Sequence, residues 1–239
     1  MTGKKTYFIA DIHLTLDPDP KRRLVKSFLD QVIKQKADLY ILGDLFDFWA
    51  NNKEVLILHS DVLSKLGTLT SNGSKVGFLI GNRDFLLTNK TLATFGIDYL
   101  GEETQIQLGS KTVFLAHGHT LCRSDIKFLK YKERAWPLFR FLDRFIPGII
   151  ENYIAEKFIL KSKKVIEAQD DETFRITTHL IKHYFNMGMD AIICGHVHRL
   201  ENKTVDGKQF FSLPAWENNA GNYLLFENDK FTFDYFDGQ

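Results

Sequence analysis

The sequence predicts an α/β protein built on mixed β-sheets. In the first half of the chain, short β-rich runs alternate with segments of helical periodicity, as in parallel strands joined by helices. In the second half, paired strand-like runs flank short turn sequences, which is typical of antiparallel hairpins. The 239 residues are 44% hydrophobic and 26% charged, a composition that predicts a soluble globular protein with one large domain.

Repeated strand and helix patterns account for the first half of the chain. Each predicted strand is a short apolar run, and the longer helices carry apolar residues three and four positions apart. The predicted elements are a strand at Thr6–Ala10, a helix at Arg22–Lys36, a strand at Asp38–Leu42, a helix at Asn52–Leu69, a strand at Lys75–Ile80 and a short helix at Thr91–Phe95.

Hairpins dominate the second half. Three strand pairs turn at Gly109-Ser110, Asp206-Gly207 and Asn228-Asp229, residue types that favour tight turns. An amphipathic helix at Asp171–Met187 and a core strand at Ala191–Cys194 separate the first pair from the others. The three pairs are Thr104–Leu108 with Lys111–Ala116, Glu201–Val205 with Gln209–Leu213, and Asn222–Glu227 with Phe231–Phe236.

The segment 121–168 differs from both halves in composition. It is rich in large aromatic residues and contains eleven Lys and Arg against six Asp and Glu, which gives it a net charge of +5. We interpret it as a helical insertion within a single domain that spans residues 1–239. Two explanations of its composition stay open: an apolar groove with a basic surface for a lipid, or a plain helical cap with a solvated lysine face.

Net charge, the length of the apolar runs and the cysteine count exclude several classes of protein. The formal net charge of +1 gives no sign of a nucleic-acid coat. No apolar run approaches the ~20 residues of a membrane-spanning helix, and the amino terminus shows no export signal. The two cysteines are too few for a disulfide framework. We therefore expect a protein of the cytoplasm that binds no nucleic acid.

Five polar motifs occupy equivalent positions in the predicted fold, because each begins where a predicted strand ends. The carboxyl ends of strands in α/β sheets open onto the crevice where ligands bind, so these side chains are expected to converge. The motifs are Asp11-Ile12-His13, Gly43-Asp44-Leu45-Phe46-Asp47, Gly81-Asn82-Arg83-Asp84, His117-Gly118-His119 and Gly195-His196-Val197-His198.

The residue types in these motifs predict a metal centre. Carboxylate and amide oxygens combined with imidazole nitrogens, and without thiolates, suit Mn²⁺, Zn²⁺ or Fe better than a structural zinc site or a calcium loop. An Asp-x-His motif alone is common, and Gly-His-x-His is only moderately specific. Five such motifs at five strand ends, however, would be an unusual way to build solvated loops.

The ordered set D-x-H, GD-x-x-D, GN-x-D, H and GH-x-H resembles the signature of calcineurin-like metallophosphoesterases from Asp11 to His198. The resemblance implies a four-layer αββα sandwich and a site for two divalent ions, with Mn²⁺ as the first expectation and Zn²⁺ or Fe as alternatives. One ion would be held by Asp11, His13 and His198, and the other by Asn82, His117 and His196. Asp44 would bridge the two ions, and Asp47 would support the ligands. His119 departs from the pattern: it could be an additional metal neighbour, a phosphate contact or a capped loop residue, and we favour a supporting role behind the ligands.

Arg83 stands where many members of this family carry His, which is taken to assist a poor leaving group. Arginine does not release a proton at physiological pH, but its planar fork binds phosphate oxygens well. A leaving group that departs as a phosphate needs no acid, so Arg83 favours a phosphoanhydride substrate over a nucleic-acid diester or a phosphoprotein. The alternative is that Arg83 only pairs with Asp84 or Asp47.

Within the family, the chain is most similar to enzymes that cleave the pyrophosphate of a lipid-linked nucleotide. This resemblance rests on the sequence segments Gly81–Leu87 and Thr120-Leu121-Cys122. It implies that 121–168 is a lid over acyl chains and that the protein binds the inner leaflet of the inner membrane peripherally. It also assigns catalytic roles to Asp44, Asn82, Arg83 and His117, and substrate contacts to Arg83, Asp125, Ser162 and His196.

Two other functions stay open at this point. A metallophosphoesterase with the same site could act on a soluble nucleotide or a phosphoprotein. A non-catalytic scaffold could keep the fold and bind partners through the insertion, although the seven ligand positions are all filled by suitable residues. The oligomeric state is not predicted.

Overall fold

Two β-sheets form the framework of the fold. The computed structural model describes residues 4–17, 20–122, 133–134, 136–139 and 176–238. Their helices and strands are β1 (Thr6–Ile9), α1 (Pro20–Lys34), β2 (Asp38–Leu42), α2 (Lys53–Ser71), β3 (Val76–Leu79), α3 (Asn89–Ala93), β4 (Asp98–Tyr99), β5 (Glu103–Leu108), β6 (Lys111–Ala116), α4 (Thr178–Asn186), β7 (Ala191–Cys194), β8 (Glu201–Val205), β9 (Lys208–Ser212), β10 (Gly221–Glu227) and β11 (Lys230–Phe236).

The first sheet has six strands in the order β11-β10-β1-β2-β3-β4. Strands β1 to β4 run parallel, and β10 joins β1 antiparallel. The second sheet has the order β5-β6-β7-β9-β8, with β6, β7 and β9 parallel. The strands that precede the five polar motifs are therefore all members of parallel pairs.

Side chains on each strand point alternately to the two faces of its sheet, and packing on both faces gives the fold four layers. In β1, Tyr7 and Ile9 belong to the core beneath α1 and α2, whereas Phe8 faces the second sheet. The outer face of the second sheet packs on α4 through residues such as Phe210 and Ile192. Because successive side chains on a strand point to opposite faces, each sheet is apolar on both sides. The expected αββα arrangement is confirmed.

Most element boundaries agree with the sequence to within two residues, but one helix start is wrong. The helix predicted from Asp171 begins only at Thr178, and residues 171–175 lie outside the described residues. Ile176 and Thr177 are β-branched, and the Thr177 N–H donates to the carbonyl of Leu121 at 3.2 Å. This tertiary bond holds extended backbone where periodicity predicts helix. Strand β4 has two residues, too few for a sequence pattern.

Only part of the predicted insertion belongs to the described residues. Residues 133–134 and 136–139 are helical. The rest of 123–168, which includes Asp125 and Ser162, lies outside the described residues. Among the helices that are described, none combines the length and apolar character needed to cross a bilayer.

Candidate metal centre

The five polar motifs meet at one edge of the sandwich. Asp11, Asp44 and Asn82 follow β1, β2 and β3 of the first sheet, and His117 and His196 follow β6 and β7 of the second sheet. Backbone hydrogen bonds join neighbouring loops within each sheet: the Gly195 N–H donates to the His117 carbonyl, and the His13 N–H donates to the Asp44 carbonyl. Between the sheets, the His196 N–H donates to the Asp11 carboxylate. The structure therefore brings together motifs spread over nearly the whole chain.

The backbone of this edge is strained. Among the described residues, nine non-glycine residues have positive φ, and five of them are predicted metal ligands. Side chains in this left-handed region cost free energy, and such residues cluster at functional sites. The five are Asp11 (φ 52°), His13 (φ 55°), Asp44 (φ 53°), His196 (φ 72°) and His198 (φ 53°).

Glycines, which have no Cβ, allow the strand-end loops to pack closely against one another. A Cβ at Gly43 would lie 2.7 Å from both the His117 Nδ1 and the Gly81 N. A Cβ at Gly195 would overlap the Asp11 carboxylate, and one at Gly81 would overlap the Asp44 carboxylate. The three glycines that precede Asp44, Asn82 and His196 are thus required by close packing around the predicted ligands.

Asp11, His13 and His198 form the first group of ligand atoms. The Asp11 Oδ1 lies 3.4 Å from the His198 Nε2 and 3.9 Å from the His13 Nε2. The two Nε2 atoms face each other at 3.2 Å. The other Asp11 oxygen accepts the His196 N–H at 2.7 Å, which leaves the buried Oδ1 with no hydrogen-bond partner. A divalent cation fits this group, because it would satisfy an oxygen that is otherwise costly to bury.

Asn82, His117 and His196 form the second group. The Asn82 Oδ1 lies 2.9 Å from the His117 Nε2 and 3.0 Å from the His196 Nδ1. The His117 Nδ1 lies 2.8 Å from the Leu42 carbonyl, so this nitrogen donates and Nε2 keeps its lone pair. Three atoms of the kinds that bind Mn²⁺, Zn²⁺ or Fe therefore converge on one point.

Asp44 lies between the two groups. Its Oδ2 is 3.6 Å from the His117 Nε2 and 3.9 Å from the His13 Nδ1. Its Oδ1 accepts the Arg83 N–H at 2.8 Å, which orients the carboxylate. Asp11, Asp44 and His117 also have ligand atoms within 4.8 Å of one another. This is the placement that a bridging carboxylate requires.

The pKa shifts of His13, His196 and Asp11 favour the forms that bind a cation, whereas at His198 the effect of burial is outweighed by Asp11 and the pKa rises. Burial lowers the pKa of His13 to about 3 and takes the pKa of His196 well below its usual value. Burial opposes ionisation of Asp11, but attraction to the neighbouring imidazoles of His198 and His117 outweighs it and holds that pKa below its usual range. Neutral imidazoles beside an ionised carboxylate are the forms that coordinate a cation.

Burial favours the protonated form of Asp44 and therefore raises its pKa. It disfavours the charged form of His117, but the carboxylates of Asp44 and Asp11 raise that pKa overall. The raised pKa values mean that Asp44 and His117 hold protons more strongly than usual. A divalent ion that binds here would displace those protons.

Arg83 and Asp47 lie beside the first group. The Asp47 Oδ1 is 3.8 Å from the His13 Nδ1 and 3.9 Å from the Arg83 Nη1. Asp47 can therefore orient both the imidazole and the guanidinium, consistent with the supporting role expected for it. The Asp47 carboxylate thus lies near both a predicted metal ligand and the guanidinium of Arg83.

Asp84 is a site residue to which the sequence assigned no function of its own. It is fully buried; one oxygen accepts the Gly81 N–H at 2.7 Å and the other accepts the Leu45 N–H at 3.0 Å. Burial and the charge of Asp44 raise its pKa to about 7. Asp84 therefore fastens the loop after β3 to the loop after β2. The only sequence signal was its place in the Gly-Asn-x-Asp motif.

His119 lies behind the ligand imidazoles. Its ring centroid is 5.4 Å from that of His117 and 6.0 Å from that of His196. Its Nε2 is 3.5 Å from the Glu102 Oε2, and the residue is 1% exposed. This position suits the supporting role expected from the sequence.

Comparison with known proteins gives a consistent result. A sequence model described as calcineurin-like phosphoesterase matches residues 4–200. A UDP-2,3-diacylglucosamine hydrolase of Pasteurella multocida is 36% identical over 82% of this chain and 83% of its own length. One from Haemophilus ducreyi is 34% identical over 95% and 98%. A solved archaeal phosphodiesterase shares the fold, with a TM-score of 0.54, 9% identity and coverage of 97% and 99%.

Proposed function

The chain belongs to the calcineurin-like phosphoesterase family, and from this premise we propose that it hydrolyses the pyrophosphate of UDP-2,3-diacylglucosamine. Water adds across the P–O–P bridge, and the products are UMP and 2,3-diacylglucosamine 1-phosphate, known as lipid X. The reaction would place the enzyme in lipid A biosynthesis. The observation that carries the proposal is the convergence of the seven candidate ligands in two neighbouring groups, in a chain that is 36% identical to a hydrolase of this name.

We propose that the site holds two divalent ions, with Mn²⁺ as the physiological metal and Zn²⁺ or Fe as alternatives. Asp11, His13 and His198 would hold one ion, Asn82, His117 and His196 the other, and Asp44 would contact both. Two such ions lower the pKa of water and neutralise charge on phosphoryl oxygens. The orphaned Asp11 Oδ1 and the converging atoms around Asn82 support this assignment.

The direct test of the function is turnover on matched substrates. We expect the Mn²⁺-loaded protein to release UMP from UDP-2,3-diacylglucosamine much faster than it cleaves ADP-ribose, diadenosine polyphosphates, a simple phosphodiester or a phosphopeptide. Faster cleavage of a soluble nucleotide or a phosphopeptide would assign the site to that substrate instead. Binding of two metal ions without turnover of any of these compounds would favour the non-catalytic scaffold.

Arg83 is the residue proposed to bind the phosphate oxygens. Its backbone N–H donates to the Asp44 carboxylate at 2.8 Å, and its guanidinium lies 3.9 Å from Asp47, beside the first group of ligand atoms. Arg83→Ala should lower kcat/KM for the anhydride by about 100-fold or more, since a charged hydrogen-bonding partner of the transition state is lost. Two metal ions per chain should remain bound, as measured by elemental analysis.

Arg83→Lys is the matched variant for this prediction. Lysine keeps the charge but has no planar fork, so we expect it to recover only part of the lost rate. Full activity of Arg83→Ala would contradict the phosphate-binding role. Loss of metal in that variant would show that Arg83 instead supports the ligands through Asp47.

We propose that residues 121–168 form a lid over the acyl chains, with Asp125 and Ser162 contacting the glucosamine headgroup and His196 contacting the substrate beside its metal. The support for the lid is its aromatic and basic composition and its position in the chain directly after His117-Gly118. Hydrocarbon density between the helices of this segment in a substrate or product complex would test the lid.

We propose that the enzyme works in the cytoplasm and binds the inner membrane peripherally. Three consecutive apolar residues on the first turns of α2, Leu56, Ile57 and Leu58, are exposed. Arg22 donates to the Leu58 carbonyl and also pairs with Asp61. Arg23, next to Arg22, and Lys53, at the start of α2, are exposed. Helices α1 and α2 begin at the sheet edge that carries the metal centre. Apolar residues beside basic ones at that edge suit an anionic bilayer surface.

The double variant Ile57→Glu with Leu58→Glu should weaken membrane binding. Two carboxylates replace side chains that would enter the interface, so co-sedimentation with phosphatidylglycerol vesicles should fall by about tenfold or more. Cleavage of a water-soluble phosphodiester should not change. Met187→Glu is the control, because Met187 is 62% exposed at the end of α4, at the opposite edge of the second sheet. Wild-type vesicle binding by the double variant would exclude this surface.

A further inference from the structure

Trp136 connects two loops of the metal centre. Its indole stacks on the Phe85 ring, with centroids 4.5 Å apart and planes 12° from parallel. Its centroid lies 5.7 Å from the His119 ring. Although Trp136 belongs to the compositionally distinct segment 121–168, it is only 4% exposed. A large rigid side chain from this segment is thus packed into the body of the protein.

The two partners of Trp136 belong to different sheets. Phe85 follows Asp84 in the loop after β3, two residues beyond Arg83. His119 lies in the loop after β6, two residues beyond His117. A single indole therefore contacts the loop that carries Asn82 and Arg83 and also the loop that carries His117. Close-packed aromatic rings resist displacement, so this contact limits how far either loop can shift.

We infer that Trp136 is a positioning residue that holds the Arg83 loop and the His117–His119 loop at their working separation. Trp136 is then a structural part of the site, in addition to any role of its segment as a cover. Hydrogen bonds hold each of these loops: Asp84 accepts from Gly81 in its own loop and from Leu45 in the loop after β2, and the Leu121 N–H donates to the Gly118 carbonyl. Trp136 adds a contact between loops of the two sheets.

The inference rests on the proposed phosphohydrolase activity but not on the lipid substrate. A misplacement of about 1 Å at a reacting centre can cost about 100-fold in rate. We therefore expect Trp136→Ala and Trp136→Leu to lower kcat by about 100-fold for both bis(4-nitrophenyl) phosphate and UDP-2,3-diacylglucosamine. The KM for the small diester should change by less than about threefold, because no contact to that substrate is removed.

Trp136→Phe and Phe139→Ala are the matched controls. Trp136→Phe keeps an aromatic ring in the same place, so it should restore kcat to within about threefold of the wild type. Phe139 belongs to the same segment and also contacts Phe85, edge-on at 6.4 Å, so Phe139→Ala tests whether any lost aromatic packing has the same effect. It should leave kcat within about threefold of the wild type. All variants should bind two metal ions per chain and unfold cooperatively.

The results of these experiments distinguish the positioning role of Trp136 from the proposed substrate. Unchanged kcat in Trp136→Leu, an equal loss in Phe139→Ala, or loss of bound metal with the rate would each overturn the positioning role. Trp136→Leu fills most of the indole volume, so it decides the question if Trp136→Ala does not fold. A wild-type protein that cleaves the diester but not the lipid nucleotide would refute the proposed substrate, while the diester rates would still test Trp136. A protein that cleaves neither would overturn both.

Discussion

Replacing Asp44 with alanine should abolish hydrolysis. Asp44 faces both groups of ligand atoms, with its Oδ2 3.6 Å from the His117 Nε2 and 3.9 Å from the His13 Nδ1. Its loss removes the carboxylate that we propose to bridge the two ions and also the acceptor for the Arg83 N–H. We expect kcat/KM to fall by more than about 1000-fold, beyond the effect of losing a single transition-state hydrogen bond. Elemental analysis should show fewer than two metal ions per chain.

Two variants accompany this experiment. Asp44→Asn keeps the shape of the side chain and an oxygen for the Arg83 N–H but removes the negative charge, so it should also lose metal. Asp30→Asn alters an exposed carboxylate that is paired with Lys65 on the outer helices, and it should keep full activity and metal content. Substantial turnover by Asp44→Ala would contradict the two-metal assignment.

Gly81→Ala should disrupt the site nearly as strongly. The added Cβ would overlap the Asp44 carboxylate and lie 2.5 Å from the Asp44 N. The obstructing atoms are backbone and a buried carboxylate that is hydrogen-bonded to Arg83, so no flexible side chain can move aside. We expect activity to fall by more than about 100-fold, because the ligand loops must separate. Metal affinity and the melting temperature should fall as well, as measured by titration and thermal unfolding.

Gly67→Ala provides the matched control for the glycine prediction. Gly67 lies within α2, and a Cβ there would meet Phe95 atoms at ordinary van der Waals distances of 3.4 Å and more. Alanine is favoured over glycine inside a helix by about 1 kcal/mol. The melting temperature should therefore stay the same or rise, with unchanged activity. Wild-type activity in Gly81→Ala would show that the loops are not packed as tightly as the structure has them.

The convergence of the five polar motifs could be predicted from the sequence. A polar motif directly after a buried strand specifies both a residue type and a position in an α/β sheet, and parallel strands bring such positions to one edge. Asp11, Asn82 and His196 could therefore be expected to converge although 185 residues separate the first from the last. The turns at Asp206-Gly207 and Asn228-Asp229 were also predictable, because positive φ there favours Asn, Asp and Gly.

The features that the sequence did not reveal depend on contacts between distant residues. The start of α4 is set by the hydrogen bond between Thr177 and Leu121, which no local pattern encodes. Asp84 could have been an ordinary ion-pair partner of Arg83, and only the fold shows its oxygens bound to the amides of Gly81 and Leu45. The contact of Trp136 with Phe85 and His119 likewise has no signal in helical periodicity.

The position of the metal ions tests the central claim most directly. Anomalous diffraction from crystals of the wild-type protein loaded with Mn²⁺ should show two peaks at the strand-end edge. One should be within coordination distance of Asp11, His13 and His198, the other within that distance of Asn82, His117 and His196, and Asp44 should touch both. A single peak, no peak, or peaks bound by other residues would contradict the account.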